Sequence, residues 1–170
     1  MNDAHLHMVV NHFPIIGTIF GIGILVTGLL LKNNSVINTA YVLFIITAIF
    51  GILSMSTGEG AEEIVEDFPE IGKAIIHEHE ELAEKFALVL YVTGVFSLIS
   101  LIVAIKKFRL ATVFSIITLI LALISGIVSI NVETSGGKIR HTEIREDSAV
   151  EVVNVTNSAE RELNNTKEKK

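Results

Sequence analysis

Four long runs in this chain contain no Lys, Arg, Asp or Glu: residues 15–31, 36–55, 86–105 and 110–130. Each approaches the roughly 20 residues that a helix needs to cross the hydrocarbon of a bilayer. That medium offers a backbone no water to bond, so lipid-exposed runs of this kind must satisfy their peptide groups within helices. The predicted fold is all-α: a four-helix transmembrane antiparallel bundle, with an extramembrane amphipathic helical segment between the second and third spans. The partner this implies first is the lipid bilayer itself.

Composition then narrows the chemistry. The net charge of −6 comes from the stretches between and beyond the apolar runs, and describes the loops rather than the body. Cysteine is absent, which excludes disulfides, iron–sulfur clusters, thiolate metal sites and covalent c-type haem attachment. There is no glycine-rich phosphate loop and no nucleophile elbow. The loops on the acidic side hold too few basic residues for a nucleic-acid surface, so no nucleic-acid partner is expected. The interiors of the spans hold only Ser, Thr, Gly, Asn and Tyr as polar residues, which argues against transport of ions or charged solutes. No Lys or Arg precedes Lys32, so the first run lacks the basic flank of a cleavable signal peptide.

Orientation follows from positive charge in the short loops. Lys32 lies between the first two runs, and Lys106, Lys107 and Arg109 lie between the third and fourth. Both loops are expected in the cytoplasm of a bacterial cell, with both termini and the acidic segment 57–85 on the periplasmic face. All six histidines, His5, His7, His12, His77, His79 and His141, then fall on that one outer side. Imidazole gathered at one end of a membrane bundle suggests a ligand set.

Around the histidines the local patterns are specific. Pro14 fits the first turn of a helix and pushes Phe13 from helical geometry, so the first span is expected to begin near Pro14, with His12 at its mouth. If a helix instead runs through this point, His5, Met8 and His12 share one face. Gly58 and Gly60 are expected to end the second span, and Glu59, Glu62 and Glu63 to open a short helix. Beyond Pro69 a helix is predicted from about Glu70 unbroken into the third span. Its stripe of Ile71, Ile75, His79, Leu82 and Phe86, in steps of four, four, three and four, points His79 to the bundle and His77 to the polar face. Gly136 and Gly137 read as a turn, and "KIRHTEIR" as an extended segment returning His141 to the mouth. Residues 1–145 thus form the membrane domain, and 146–170 a polar, partly disordered periplasmic tail with a short helix near Ser158.

The run "HMVVNHFPI" resembles the H-P-x-x-V-H-F-P-I signature that opens a family of small bacterial four-helix membrane proteins of unknown function, with Met8 where the family often has proline. The likeness continues at "STG", "HEHEELAEKF" and "GGKIRH", and covers roughly residues 5–145. It matches His7 and His12 to the two signature histidines, His79 to one entering the third helix, and His141 to one after the double glycine. Members occur beside cytochrome c and other electron-transfer domains, so the resemblance implies a b-type cytochrome-like role.

Two cofactor readings follow. In the first, one or two haem b groups are held near the periplasmic face. His12 and His79 enter at one depth, and His7 and His141 serve a second haem or support the first. Arg140, Lys138 and Arg145 are placed to meet propionates. The redox partner would be a cytochrome c or a larger membrane complex. In the second, the same histidines with nearby glutamates hold zinc, iron or copper, Met8 and Met55 favouring copper. A third reading has no cofactor and makes the protein an accessory subunit of a respiratory complex.

Overall fold

The computed structural model describes residues 2–66, 71–141 and 144–145. Five helices follow in order: α1 (Asp3–Val10), α2 (His12–Leu30), α3 (Asn34–Val65), α4 (Lys73–Ile105) and α5 (Ala111–Arg140). Among the described residues there is no strand. α1 and α2 together form one apolar rod, Asp3–Leu30, so four helical rods are long and apolar enough to cross a membrane. α2 packs on α3, α3 on α4, α4 on α5 and α5 back on α2, closing a four-helix bundle, while α1 lies against α3.

The bundle is apolar outside and hydroxyl-rich inside. Ile19, Phe20, Ile49, Val95, Leu98, Ile120 and Ile127 are exposed on the outer faces. Thr18, Thr47, Thr93, Ser97, Ser100, Thr118, Ser125 and Ser129 are buried. Between helices in lipid, association relies on close packing and interhelical hydrogen bonds, and small hydroxyl residues supply both. Thr93 and Ser125 share a hydrogen bond of 3.1 Å across the α4–α5 seam, and Ser100 and Thr118 one of 2.9 Å. Tyr41 on α3 reaches Ser115 on α5 at 2.7 Å. Gly17 and Gly21 sit flush against Thr47 and Phe44, the close contact their spacing suggests.

The two tight turns at the Lys32 end share one design. Asn33 N–H donates to Gly28 C=O at 2.9 Å and Lys32 N–H to Leu29 C=O at 3.2 Å. Phe108 and Lys107 repeat the pattern onto Val103 and Ala104 at 3.1 and 3.0 Å. This double bond pattern closes a helix C-terminus and needs a left-handed residue, which glycine usually supplies. Here Lys32 (φ 50°) and Lys107 (φ 54°) fill it. Their positive charge suits the negative end of the helix dipole.

At the opposite end the helices run further than their composition suggests, and several expectations are corrected. α3 continues through Gly58 and Gly60 to Val65, so Glu59, Glu62 and Glu63 lie on the same helix as the second span. The amphipathic segment is therefore the overhanging ends of α3 and α4, not a separate helix. α4 begins at Lys73, and Pro69 and Glu70 lie outside the described residues. α5 carries Gly136 and Gly137 inside the helix, Lys138–Arg140 are its last turn rather than an extended segment, and His141 is exposed at its C-cap. Helix also precedes Pro14. α1 ends at Val10, Asn11 keeps a right-handed conformation (φ −66°, ψ −23°), and Pro14 is the third residue of α2. Pro14 has no N–H to give the Val10 carbonyl four residues before it, so the interruption between α1 and α2 falls within one turn of the proline. The tail from 146, with the helix expected near Ser158, lies outside the described residues.

Candidate functional site

At the end of the bundle away from Lys32, two histidines turn inward from different rods. His7 lies on α1 and meets α3: its Nδ1 is 3.0 Å from the Ser54 carbonyl oxygen and 3.2 Å from Thr57 Oγ1. His79 lies on α4 and meets α5: its Nδ1 is 2.9 Å from Ser135 Oγ. Both are half-buried. Each ring lies along a glycine, His7 Cε1 beside Gly58 and His79 Cε1 beside Gly136, where a methyl group would stand 3.7 and 3.1 Å from those carbons.

These partners fix the tautomers. A carbonyl only accepts, so His7 Nδ1 must carry the proton it gives to Ser54. Thr57 Oγ1 spends its own hydrogen on the Leu53 and Ser54 carbonyls, at 3.0 Å each, and likewise accepts. Ser135 Oγ–H donates to the Val132 carbonyl at 2.9 Å, so Ser135 receives the Nδ1–H of His79. In both rings the lone pair is left on Nε2. No side-chain hydrogen bond to either Nε2 is found among the described residues, and the His79 ring also meets the Val132 carbonyl.

Electrostatics agrees with neutral rings. Both histidines lie outside the uncharged apolar runs 15–31 and 86–105. Burial lowers the pKa of His7, against the opposing hydrogen bond to Ser54, and positive charge on His12 lowers it further. Burial also lowers the pKa of His79, and the second cause is charge on His7. The two imidazoles are therefore electrostatic neighbours, although they come from α1 and α4. Below them Phe86, Leu90 and Val132 form a buried apolar floor, with Ile15, Leu82 and Val128 packed against it. Phe86 and Leu82 continue the stripe that carries His79.

The other expected residues are placed elsewhere. His12 is exposed, its Nδ1 3.1 Å from the Met8 carbonyl of its own rod, and it does not reach across to His79. Asn11 keeps a right-handed conformation, so the non-helical entry expected to aim His12 inward is absent. His141 is exposed at the C-cap of α5, and Arg140 is exposed in its last turn. His77 is exposed, with ring nitrogens 3.5 and 3.4 Å from Glu80 and Glu81. Ser54 and Ser135, which hold the two rings together with Thr57 of "STG", are not singled out by sequence. Their signal was the spacing of Ser and Thr on inward faces, shared with purely structural hydroxyls deeper in the bundle.

Among the described residues no three of His, Asp and Glu come together as a metal-binding group. A zinc or iron site with carboxylate co-ligands thus lacks its donor set there. Comparison of the chain with protein-family models, curated proteins and solved structures finds no match.

Proposed function

We propose that this membrane protein is a b-type cytochrome-like electron carrier, in which His7 and His79 would hold one haem at the histidine end of the bundle. The observation that carries the reading is the pair of half-buried imidazoles with Nδ1–H anchored and Nε2 uncommitted. A ligating histidine commonly donates its other N–H to a protein oxygen, which fixes its tautomer and raises its basicity. Two neutral imidazole nitrogens would suit haem, which two side chains can hold, better than a metal that needs three or four protein ligands. Gly58 and Gly136 leave the ring edges free of side chains, and Phe86, Leu90 and Val132 supply an apolar, water-excluding base. The likeness of "HMVVNHFPI" to a family associated with electron-transfer domains points the same way.

Haem bound there would supply a one-electron ferric–ferrous couple. The protein's own part is to hold two rings in one tautomer and keep them neutral. Ser54 and Thr57 orient His7, and Ser135 orients His79. A redox partner, such as a cytochrome c or a larger membrane complex, would approach from this end, where Arg140 and Lys138 close the last turn of α5.

The test is a visible spectrum of protein purified from haem-replete cells, oxidised and then reduced with dithionite. A haem b spectrum is expected in the wild type and in His12→Ala, and its loss in His7→Ala and in His79→Ala. Ser135→Ala should weaken haem retention by roughly 10- to 100-fold, the usual effect of removing a ligand's supporting hydrogen bond. A wild type without haem absorbance rejects the proposal. Haem that survives both His7→Ala and His79→Ala rejects the ligand assignment.

A further inference from the structure

A second group of soft donors lies outside the inward pair. His5, Met8 and His12 are all exposed, Met8 by 58%. Helix runs from Asp3 through a right-handed Asn11 into α2, and Asn11 N–H bonds the His7 carbonyl at 2.9 Å. The three positions therefore keep helical register, within about 60° of one another around the axis at 100° per residue. The rises from His5 to Met8 and from Met8 to His12 are about 4.5 and 6 Å. Side chains on a helix lean toward its N-terminus, so His12 leans over Met8 and Met8 toward His5. The His12 ring does so: its Nδ1–H is spent on the Met8 carbonyl, which leaves Nε2 as a free lone pair above the thioether's turn.

We propose that His5, Met8 and His12 form a surface site for a soft monovalent cation, cuprous copper. The donors are two imidazoles and one thioether, with no carboxylate among the three. Thioether sulfur selects Cu(I) over the divalent ions that prefer oxygen and higher coordination. Two or three donors on one helix face suffice for an ion content with low coordination, whereas zinc would need four. The site shares no residue with the His7–His79 pair and does not rest on the haem reading.

The experiment is an anaerobic titration of the purified full-length protein with Cu(I) against the chelator bicinchoninate, with haem content recorded in the same samples. One Cu(I) per chain is expected. Met8→Leu, which keeps the side chain's bulk, and His12→Ala should each weaken binding at least tenfold and leave haem content unchanged. His7→Ala and His79→Ala should leave Cu(I) binding unchanged. A wild type that withdraws no Cu(I) overturns the proposal. So does binding that survives in Met8→Leu and His12→Ala, or that disappears with His7 or His79 instead.

Discussion

A single proton on each inward histidine decides much of what this end of the molecule can do. His7 and His79 are neutral in the fold because burial penalises their charged forms, and the charge on one penalises the other. Their folded pKa values lie below the ordinary 6.5. Above that value both folded and unfolded chains carry neutral rings, and these residues give no pH dependence. As pH falls below 6.5 the unfolded chain takes protons that the folded one refuses, so the folded state loses stability. The loss is at most about 1.4 kcal/mol per pH unit for each histidine, and it stops once pH passes below the lowered values. Thermal unfolding of the protein in detergent from pH 8 to pH 4 should therefore be flat at first and then decline. His79→Gln, whose amide can still donate to Ser135, should flatten part of that decline. An unchanged slope in His79→Gln would show that His79 is not held neutral by the fold.

At the scale of the element, the helix ends show what the sequence reveals and what it hides. At the Lys32 end the expected spans and the helices agree within a few residues: 15–31 with α2, 36–55 with α3, 86–105 with α4 and 110–130 with α5. Charged residues and the Asn33 cap mark those ends directly, Asn33 accepting from Ser35 and Val36 N–H. At the histidine end α4 begins at Lys73, close to the start expected near Glu70, whereas α3 and α5 overrun their apolar runs by about ten residues. Their glycines look like helix breakers, but they are contact points between rods: Gly60 takes the Asp3 side chain, Gly58 faces His7 and Gly136 carries His79. A local pattern cannot separate a glycine that ends a helix from one that lets another rod approach. The same limit explains the site: His79 is legible from its apolar stripe, whereas the sequence names both His7 and His12 and pairs His12 with His79, because Pro14 reads as the start of the helix. Gly28 tests the contact role of such residues. A methyl group there would stand 2.9 Å from the Ile37 backbone nitrogen and 3.2 Å from its Cα, atoms that cannot swing aside. Gly28→Ala should cost about 1–3 kcal/mol by overpacking. Gly23→Ala meets nothing within 4 Å and should gain a few tenths to about 1 kcal/mol from helix propensity. Equal thermal midpoints for the two variants would remove the close α2–α3 contact.

For the whole molecule the governing feature is polarity along the bundle axis. The short loops at one end carry Lys32, Lys106, Lys107 and Arg109, and the other end carries Glu59, Glu62, Glu63, Glu66, Glu78, Glu80, Glu81 and Glu84, with Lys73, Lys85, Lys138, Arg140 and the inward histidine pair. The carboxylates crowd one another enough that Glu62 has its pKa raised, by burial first and then by Glu80 and Glu66. Positive charge in short loops resists translocation, whereas acidic residues weigh little in orientation. The Lys32 end is therefore expected in the cytoplasm and the histidines at the outer face, where an electron carrier would meet an extracytoplasmic partner and a cuprous site would meet exogenous metal. The absence of native cysteine makes the orientation directly measurable with single-cysteine variants. Glu59→Cys should react with a membrane-impermeant maleimide in spheroplasts. Ser35→Cys and Lys107→Cys, in and beside the two tight turns, should react only after the membrane is permeabilised. The opposite pattern would put the histidine pair in the cytoplasm: the bundle and the tautomers would stand, but both the haem and the copper site would then have to serve partners on the inner side.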